Sequence, residues 1–570
     1  MGTGRVALLL AVLFAATPAA AEDAKPTPPA TPPATPPATP AVVPTVSYAG
    51  PDAVATRLAA LAREHPGLVR IETYGQSAGG RPLLLARVGK DALPLVFVHG
   101  GLGRRDAAGT AAALHLLERL VRPSPDATGP HPSLDRVSYA IVPAPNPDAL
   151  AAFLGKARWT LGGPSLDRDN DVRTGEDGPD DLDGDGEVLW MRRRLPDGPL
   201  AVDDAPEKDG KVFGDPRLLR DAGADARRAV SYGRPVEEGR DEDGDGEVDE
   251  DAPGTDLVRN LVGVWEEMGA WSGDGPFPGS APETHALLER SWAAGNLVGW
   301  YGFSSEGPRL ERASERGADA DADDALYGVL GPTWVAAAGG VPLRKASERP
   351  GAGGNPGSDL DWAARHLGVV ALRVPVWRIA KEERNGRERA DPDDLDWLLW
   401  NDRVLGGRGF VPWHGVEHPT FGEVDVGGWR PFTRHEPPPD LLGAAVASVA
   451  LVPAAHAEAA PRLEVRLETT RVAPDVLRVK ARVANLGGGP TETKRAEAAK
   501  RAMAVRLDFA PVEGSVLLAG PRSTSLGTLA AGALSTEVEW LVRAGRPGAA
   551  GRVTASHRVA GEASAEVTAP

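Results

Sequence analysis

The chain has 570 residues, 42% of them hydrophobic, a formal net charge of −17 and no cysteine. That length exceeds what one core serves and implies two or three domains. The acidic balance argues against nucleic-acid and anionic-membrane surfaces. The missing cysteines exclude disulfides, cysteine–zinc sites, iron–sulfur clusters and thiol nucleophiles.

The N-terminus reads MGTGRVALLLAVLFAATPAAAEDA, with Arg5, an apolar run over 6–16 and Ala19-Ala20-Ala21. This is the pattern of a cleaved secretory signal over residues 1–21, which predicts a secreted or periplasmic protein. The run is shorter than the roughly 20 residues a bilayer needs. No second long apolar run follows, so no stable membrane span is expected. Residues 22–44 repeat Thr-Pro-Pro-Ala, a polyproline-leaning spacer.

From Val46 the pattern becomes periodic. Val54, Leu58, Leu61 and Ala62 share one helical face behind Asp52, a candidate cap. Apolar strands are predicted at 68–73, 83–88, 95–98 and 137–142, with an Ala/Leu-rich helix at 107–121. Further on, helices are predicted at 283–294 and 359–366, and strands at 297–301 and 369–376. The alternation predicts an α/β domain over 45–458. Residues from about 160 to 256 interrupt it, rich in Asp, Gly, Pro and Arg, as a long insertion. After 458 apolar and polar residues alternate through RLEVRLETTRVAPDVLRVKARVANLGG, VRLDFAPVEGSVLLAG and STEVEWLVRAG. That predicts an antiparallel, immunoglobulin-like β-sandwich over 459–570.

In VFVHGGLGRRDAAGT, residues 96–110, an apolar strand runs into His-Gly-Gly and then a helix. Metal ligands often hang on such a turn. Four more segments bear on it: TYGQSAGGRPLLLARVG, IVPAPNPDAL, GTDLVRNL and PGSDLDWAARHLGVVALRVPVW. Together with FVPWHGVEHPTFGEVDVGGW, these segments in this order resemble the M14 family of zinc carboxypeptidases, in particular its large secreted bacterial members. The resemblance spans Val46 to the C-terminus and implies a mixed twisted sheet flanked by helices.

It also implies a site. The family holds zinc with a His and a Glu from a G-G-x-H-x-x-E turn and with a second His after a later strand, leaving the fourth position to water. On this sequence Gly100-Gly101-Leu102 matches G-G-x, the His slot falls on Gly103 and the Glu slot on Asp106. The second His slot falls on Gly302 in GWYGFSSEG, and no His stands between His285 and His366. The slot of the general base falls on Pro375 in RVPVW. Glycine offers no ligand and proline accepts no proton. Where the family has Asn-Arg for the substrate's C-terminal carboxylate, the chain has Val258-Arg259. Arg259 either grips a carboxylate with its planar fork or pairs with Asp256 or another carboxylate of the insertion.

Zinc is therefore doubtful. Relocated ligands from His99, Asp106 or Glu306 are the alternative. In an extended strand His99 lies about 13 Å from Gly103, whereas a zinc–nitrogen bond is about 2 Å. The expectation is that His99 is a satisfied strand-end histidine and that Asp106 caps the helix near Ala107.

The insertion carries a second signal. DLDGDGEV offers Asp181, Asp183 and Asp185 before a glycine, and DEDGDGEVDED offers Asp241, Asp243, Asp245 and Asp249. Oxygen ligands on alternate residues around a glycine turn suit calcium. The Glu of an EF-hand is missing, with Arg192 and Ala252 in its place. DRDNDVRTGED from Asp167 has Val172 where a glycine belongs. Structural calcium is expected.

The leading expectation is a secreted family member without its zinc chemistry, a pseudoenzyme binding peptide or protein C-termini or cell-wall peptides. The alternatives are an active metallocarboxypeptidase with relocated ligands and a calcium-stabilised surface or adhesion protein. GQSAGG and Ser304-Ser305 lack the strand–G-x-S-x-G–helix elbow of a serine hydrolase. GGLGRRDAAG lacks the Lys-Ser/Thr of a phosphate loop and does not match G-x-G-x-x-G.

Overall fold

The computed structural model describes residues 46–568 except 125, 156–161, 165–177, 206, 223–230, 243, 245, 247, 249–253, 263–274, 314–322, 346–358, 381, 390 and 546–547. The signal, the spacer, Asp243, Asp245 and Asp249 lie outside the described residues, as does the side chain of Glu306.

Helix α1 (Pro51–Glu64) starts on a proline and buries Val54, Leu58 and Leu61. Its N-cap is Gly50, and Asp52 stands in the first turn instead, where a negative charge suits the helix dipole. Strands β1 (Val69–Gln76) and β2 (Pro82–Val88) form an antiparallel pair. Next come β3 (Leu95–His99), α2 (Ala107–Val121), β4 (Ser138–Val142) and α3 (Pro147–Leu154). The insertion adds the short strands β5 (Trp190–Arg193), β6 (Leu200–Val202), β7 (Leu219–Asp221) and β8 (Val236–Glu237). The main rhythm resumes with α4 (Pro282–Trp292), β9 (Leu297–Glu306), β10 (Leu310–Arg312), α5 (Asp324–Ala337) and β11 (Leu343–Lys345). A short α6 (Asp359–Trp362) and β12 (Val370–Trp377) complete it.

Eight of these strands make one mixed sheet in the order β1-β2-β4-β3-β9-β12-β10-β11. Its centre, β4-β3-β9-β12, is parallel, and its flanks bring in antiparallel pairs. The predicted strands fall within a few residues of these, and the predicted helix at 107–121 matches α2. The central strands are buried on both faces, which their unbroken apolar runs require. One face packs on α2, whose Ala108, Ala112, Leu116, Leu117 and Leu120 are buried with Val98 and Tyr301. The other holds Phe97, Trp300, Leu257 and Leu360.

Beyond β12 lie β13 (Glu382–Arg384), β14 (Arg387–Arg389), α7 (Asp394–Leu405), β15 (Phe410–His418), β16 (Gly422–Trp429) and α8 (Pro439–Val449). The insertion is stitched to this region by a sheet of order β15-β16-β5-β8. Met191, Val424 and Val426 form its small core. The stretch Pro439–Glu458 is long and apolar enough, by length and composition alone, to cross a membrane, yet half of it is buried inside the protein. Leu442, Val446 and Val449 belong to the core that holds α2.

The C-terminal strands are β17 (Leu463–Ala473), β18 (Val476–Asn485), β19 (Arg506–Pro511), β20 (Val516–Ala519), β21 (Ser523–Ser525), β22 (Val538–Arg543), β23 (Ala549–His557) and β24 (Gly561–Thr568). They form two four-stranded antiparallel sheets, β17-β18-β22-β20 and β21-β19-β23-β24. Trp540, Phe509 and Val553 sit in the core between them.

Helix α2 is buried along nearly its whole length, its four leucines included. Leu116→Ala is expected to cost about 2–5 kcal/mol, read as a lower denaturant midpoint with an unchanged slope in equilibrium unfolding.

Candidate functional site

In open α/β sheets, ligands gather beyond the carboxyl ends of the parallel strands. Here β3, β9 and β12 end together. The register sets His99 beside Gly302 and Gly302 beside Arg373, with Pro375 beside Ser304. Over these ends lies a cleft of about 260 Å³, lined among others by His99, Asp106, Gly302, Arg309, Arg373 and Pro375. Of the sequence positions assigned to metal and base, Asp106, Gly302 and Pro375 line this cleft, although they come from segments far apart in the chain, and Gly103 is not among its lining residues.

The centre of the cleft is a chain of charges. His99 is buried, and its Nε2 lies 3.0 Å from Asp359 Oδ2. The Trp300 indole N–H donates to the same oxygen at 3.1 Å. Arg373 donates to Asp359 Oδ1 at 2.7 Å and faces Glu311 at 3.5 Å. Glu311 in turn pairs with the buried Arg344. Burial alone pushes the Asp359 carboxyl up, but Arg373 and His99 outweigh it and hold it well below the usual carboxylate range.

Gly302 has its place in this chain. A Cβ built there would lie 2.7 Å from both Cε1 and Nε2 of His99 and 2.9 Å from Asp359 Oδ2. The imidazole therefore occupies the space into which a side chain at 302 would grow. On its other edge, His99 Nδ1 accepts from the Gly101 N–H at 3.3 Å. Gly101 has φ of +102°, so the turn folds back onto the histidine instead of continuing the strand. His99 is satisfied on both ring nitrogens, as the sequence suggested.

Asp106 differs from expectation. It occupies the N-cap position of α2 but makes no side-chain cap bond. Its Oδ2 accepts from the Gly103 N–H at 2.7 Å and its Oδ1 from the Ser305 N–H at 2.9 Å. The helix N–H groups of Ala107 and Ala108 are taken instead by the two oxygens of Glu436. Glu436 also accepts from the Ser305 hydroxyl and from Tyr48. Burial, first, and then the charge of Asp106 raise the Glu436 carboxyl well above its ordinary value. Burial likewise raises Asp106, against the pull of its N–H donors and of Arg373 and His99.

Arg259 is paired with Asp256 at 3.3 Å, and it is the neighbouring Val258 that lines the cleft. Asp148, in NPDAL, accepts from Gly79 N at 2.8 Å and pairs with Arg81 at 2.7 Å, tying the GQSAGGRP turn to the start of α3. Asn146 caps α3 and donates to the Leu102 carbonyl at 3.0 Å, bracing the turn of residues 100–106.

Comparison with known proteins bears on this geometry. Residues 54–172 match the family model described as zinc carboxypeptidase. Over that stretch the chain is similar to zinc carboxypeptidases. A carboxypeptidase B of Astacus astacus is 30% identical over 116 residues, which are 20% of this chain and 37% of that protein. The match thus spans about a third of that relative. Residues 462–568, the β-sandwich, match a domain of unknown function. Among solved structures, bovine thrombin-activatable fibrinolysis inhibitor, in complex with tick carboxypeptidase inhibitor, is 13% identical with a TM-score of 0.37. It covers 62% of this chain and 92% of its own. The metallo-carboxypeptidase of Burkholderia cenocepacia is 13% identical with a TM-score of 0.33, covering 71% and 68%.

Relative to the family's site, sequence reasoning missed Asp359, Arg373, Glu311, Arg344 and Glu436. Arg373 was within reach: it lies two residues before Pro375, so strand alternation puts both on one face. The partners Glu311 and Glu436 carry no local signal.

Two outcomes follow from the charge chain. Asp359→Asn breaks a buried pair and is expected to cost about 3–5 kcal/mol. Because the folded carboxyl titrates below its unfolded value, its stabilisation is present above about pH 4 and fades as pH falls further. The variant should flatten the acid limb of stability measured by unfolding across pH. Separately, Gly302→Ala is expected to destabilise by about 1–3 kcal/mol. That cost should shrink in a His99→Ala background, measured as a double-mutant cycle.

Proposed function

We propose that this chain is a secreted member of the zinc carboxypeptidase family that binds the C-termini of peptides, including cell-wall peptides, and does not hydrolyse them. The observation that carries this reading is the His99 ring packed over Gly302 and locked to Asp359 and Arg373. Where the family's zinc sits, this cleft offers a closed run of ion pairs.

Those residues do not fit a zinc ion. Gly103 and Gly302 bring no ligand atom, and Asp106 spends its oxygens on two backbone N–H groups. The oxygens of Asp359 serve His99, Trp300 and Arg373. A divalent cation beside Arg373 and Arg344 meets like charge. Among the described residues no three His, Asp or Glu atoms converge in the cleft as a metal needs. Pro375, in the base position, takes no proton from an attacking water.

Binding is the chemistry that remains. Arg309 and Arg344 line the cleft, and a guanidinium offers two parallel donors to a carboxylate. Arg309 holds Asp391 through 2.9 and 3.1 Å bonds, an arrangement that a ligand carboxylate would mimic. The signal sequence over 1–21 supports a location outside the cytoplasm. The insertion joins the same proposal as a calcium-held brace at Asp181, Asp183 and Asp185, whose oxygens lie within 4.8 Å of one another.

The test is zinc content, peptidase activity and peptide binding on one preparation. The expected result is sub-stoichiometric zinc after zinc incubation, no release of C-terminal residues, and calorimetric binding of peptides that is lost on C-terminal amidation. Arg309→Ala should weaken that binding about tenfold, at the low end of a charge-assisted hydrogen bond. Stoichiometric zinc with chelator-sensitive release of C-terminal residues overturns the reading.

A further inference from the structure

The arginine edge that a ligand carboxylate would use is occupied from within the chain. Arg309 immediately precedes β10, and its Nε and Nη2 donate to the two oxygens of Asp391 at 2.9 and 3.1 Å. The pairing of β10 with β11 sets Glu311 beside Arg344. Arg344 Nε donates to Glu311 Oε1 at 3.1 Å, and its Nη1 stands 3.9 Å from Asp391 Oδ2. One carboxylate thus faces both guanidinium groups. Both arginines line the cleft, and Asp391 is not among its lining residues.

The three arginines of the cleft differ in how firmly they are held. The side chains of Arg373 and Arg344 are 17% and 4% exposed, and those of their partners Asp359 and Glu311 are 4% and 8% exposed. Breaking such a pair strands a charge away from water. The side chains of Arg309 and Asp391 are 29% and 33% exposed. A pair this open to solvent is held weakly, because water takes up either partner when they part. Of these carboxylates, Asp391 is therefore the one that an incoming carboxylate can replace.

Asp391 is presented to Arg309 by its flanks. It stands just before Asp393, the N-cap of α7, whose side chain accepts from Asp396 N at 2.9 Å while the Asp396 side chain accepts from Asp393 N at 3.0 Å. Arg384 of β13 donates to Asp393 at 3.0 Å. At the tip of the β13–β14 hairpin, Asn385 exchanges two bonds with Val212 of the insertion, at 3.0 and 2.7 Å. We propose that Asp391 is a built-in competitor for the carboxylate-binding edge of Arg309 and Arg344, displaced when the C-terminal carboxylate of a peptide enters. This rests on the binding reading of the cleft and adds its regulation: the affinity of the site is set by how firmly the segment before α7 holds Asp391 against Arg309. The ligand must bring a planar anion, since the donors that Asp391 leaves behind are the parallel pair of one guanidinium.

Calorimetric titration of the full chain with N-acetyl-trialanine, and with its C-terminal amide, tests this. Asp391→Asn keeps the size of the side chain and removes its charge. It should bind the free acid about fivefold more tightly than the wild type, the factor by which a mostly occupied site is freed, and should gain nothing for the amide. Asp394→Asn removes an equal charge close by, from a residue paired with Arg434, and should leave affinity unchanged. The same gain there would be a general effect of charge and overturns the proposal. In an Arg309→Ala background the gain from Asp391→Asn should fall to about twofold or less. If the wild type binds the free acid and Asp391→Asn binds it equally or more weakly, Asp391 orients Arg309 instead of competing for it, and the proposal falls while the binding reading stands. If neither protein binds the free acid, the binding reading falls and this proposal with it. Binding seen in Asp391→Asn alone upholds both.

Discussion

The buried carboxylate of Asp359 is the constraint from which the arrangement of the cleft follows. An ionised group withdrawn from water must be paired and hydrogen-bonded or it will take up a proton. Asp359 achieves this with three partners from three elements: His99 at the end of β3, Trp300 within β9 and Arg373 in β12. Once His99 is committed to Asp359, its ring covers Gly302, and position 302 has no room for a side chain. Once Arg373 is committed there, Glu311 and Arg344 complete the neutralisation. The same interaction clamps three parallel strands at one end.

A second buried carboxylate organises the neighbouring turn. The start of α2 presents free N–H groups and the positive end of a dipole, and it needs an anion. Asp106 is adjacent in sequence and chemically suited. Yet it is turned towards Gly103 and Ser305, and Glu436 arrives from more than 300 residues away to take the helix N–H groups. The division of labour has a geometric cause. Asp106 bridges the turn to β9, while Glu436 bridges the helix to the segment ahead of α8. Between them they fasten the N-terminal half of the domain to its C-terminal half.

The sequence carried most of the fold. Apolar runs flanked by glycine and proline placed β2, β3, β4 and β12 within a residue or two, because strands buried on both faces must be apolar without interruption. Three positions that line the cleft were legible as well, since the motifs in order single out Asp106, Gly302 and Pro375. What fills the cleft was harder to see. Asp359 lies inside a quoted motif, but nothing local says that its partner is His99, 260 residues earlier. Asp106 read as a cap because capping preference is local, and the competitor that displaced it is not. In the insertion, Asp181, Asp183 and Asp185 were readable from their spacing, and the structure brings their oxygens within 4.8 Å of one another.

The turn between β3 and α2 is where these observations meet. A glycine-rich turn of this kind keeps its shape only where other groups restrain it. This chain has several. Asn146 holds Leu102, Asp106 holds Gly103, Gly101 folds onto His99, and Glu237 holds Arg104 and Arg105. Each is a side chain or backbone contact requiring no zinc. One of them, Glu237, depends on an insertion whose small core of Met191, Val424 and Val426 is weak on its own.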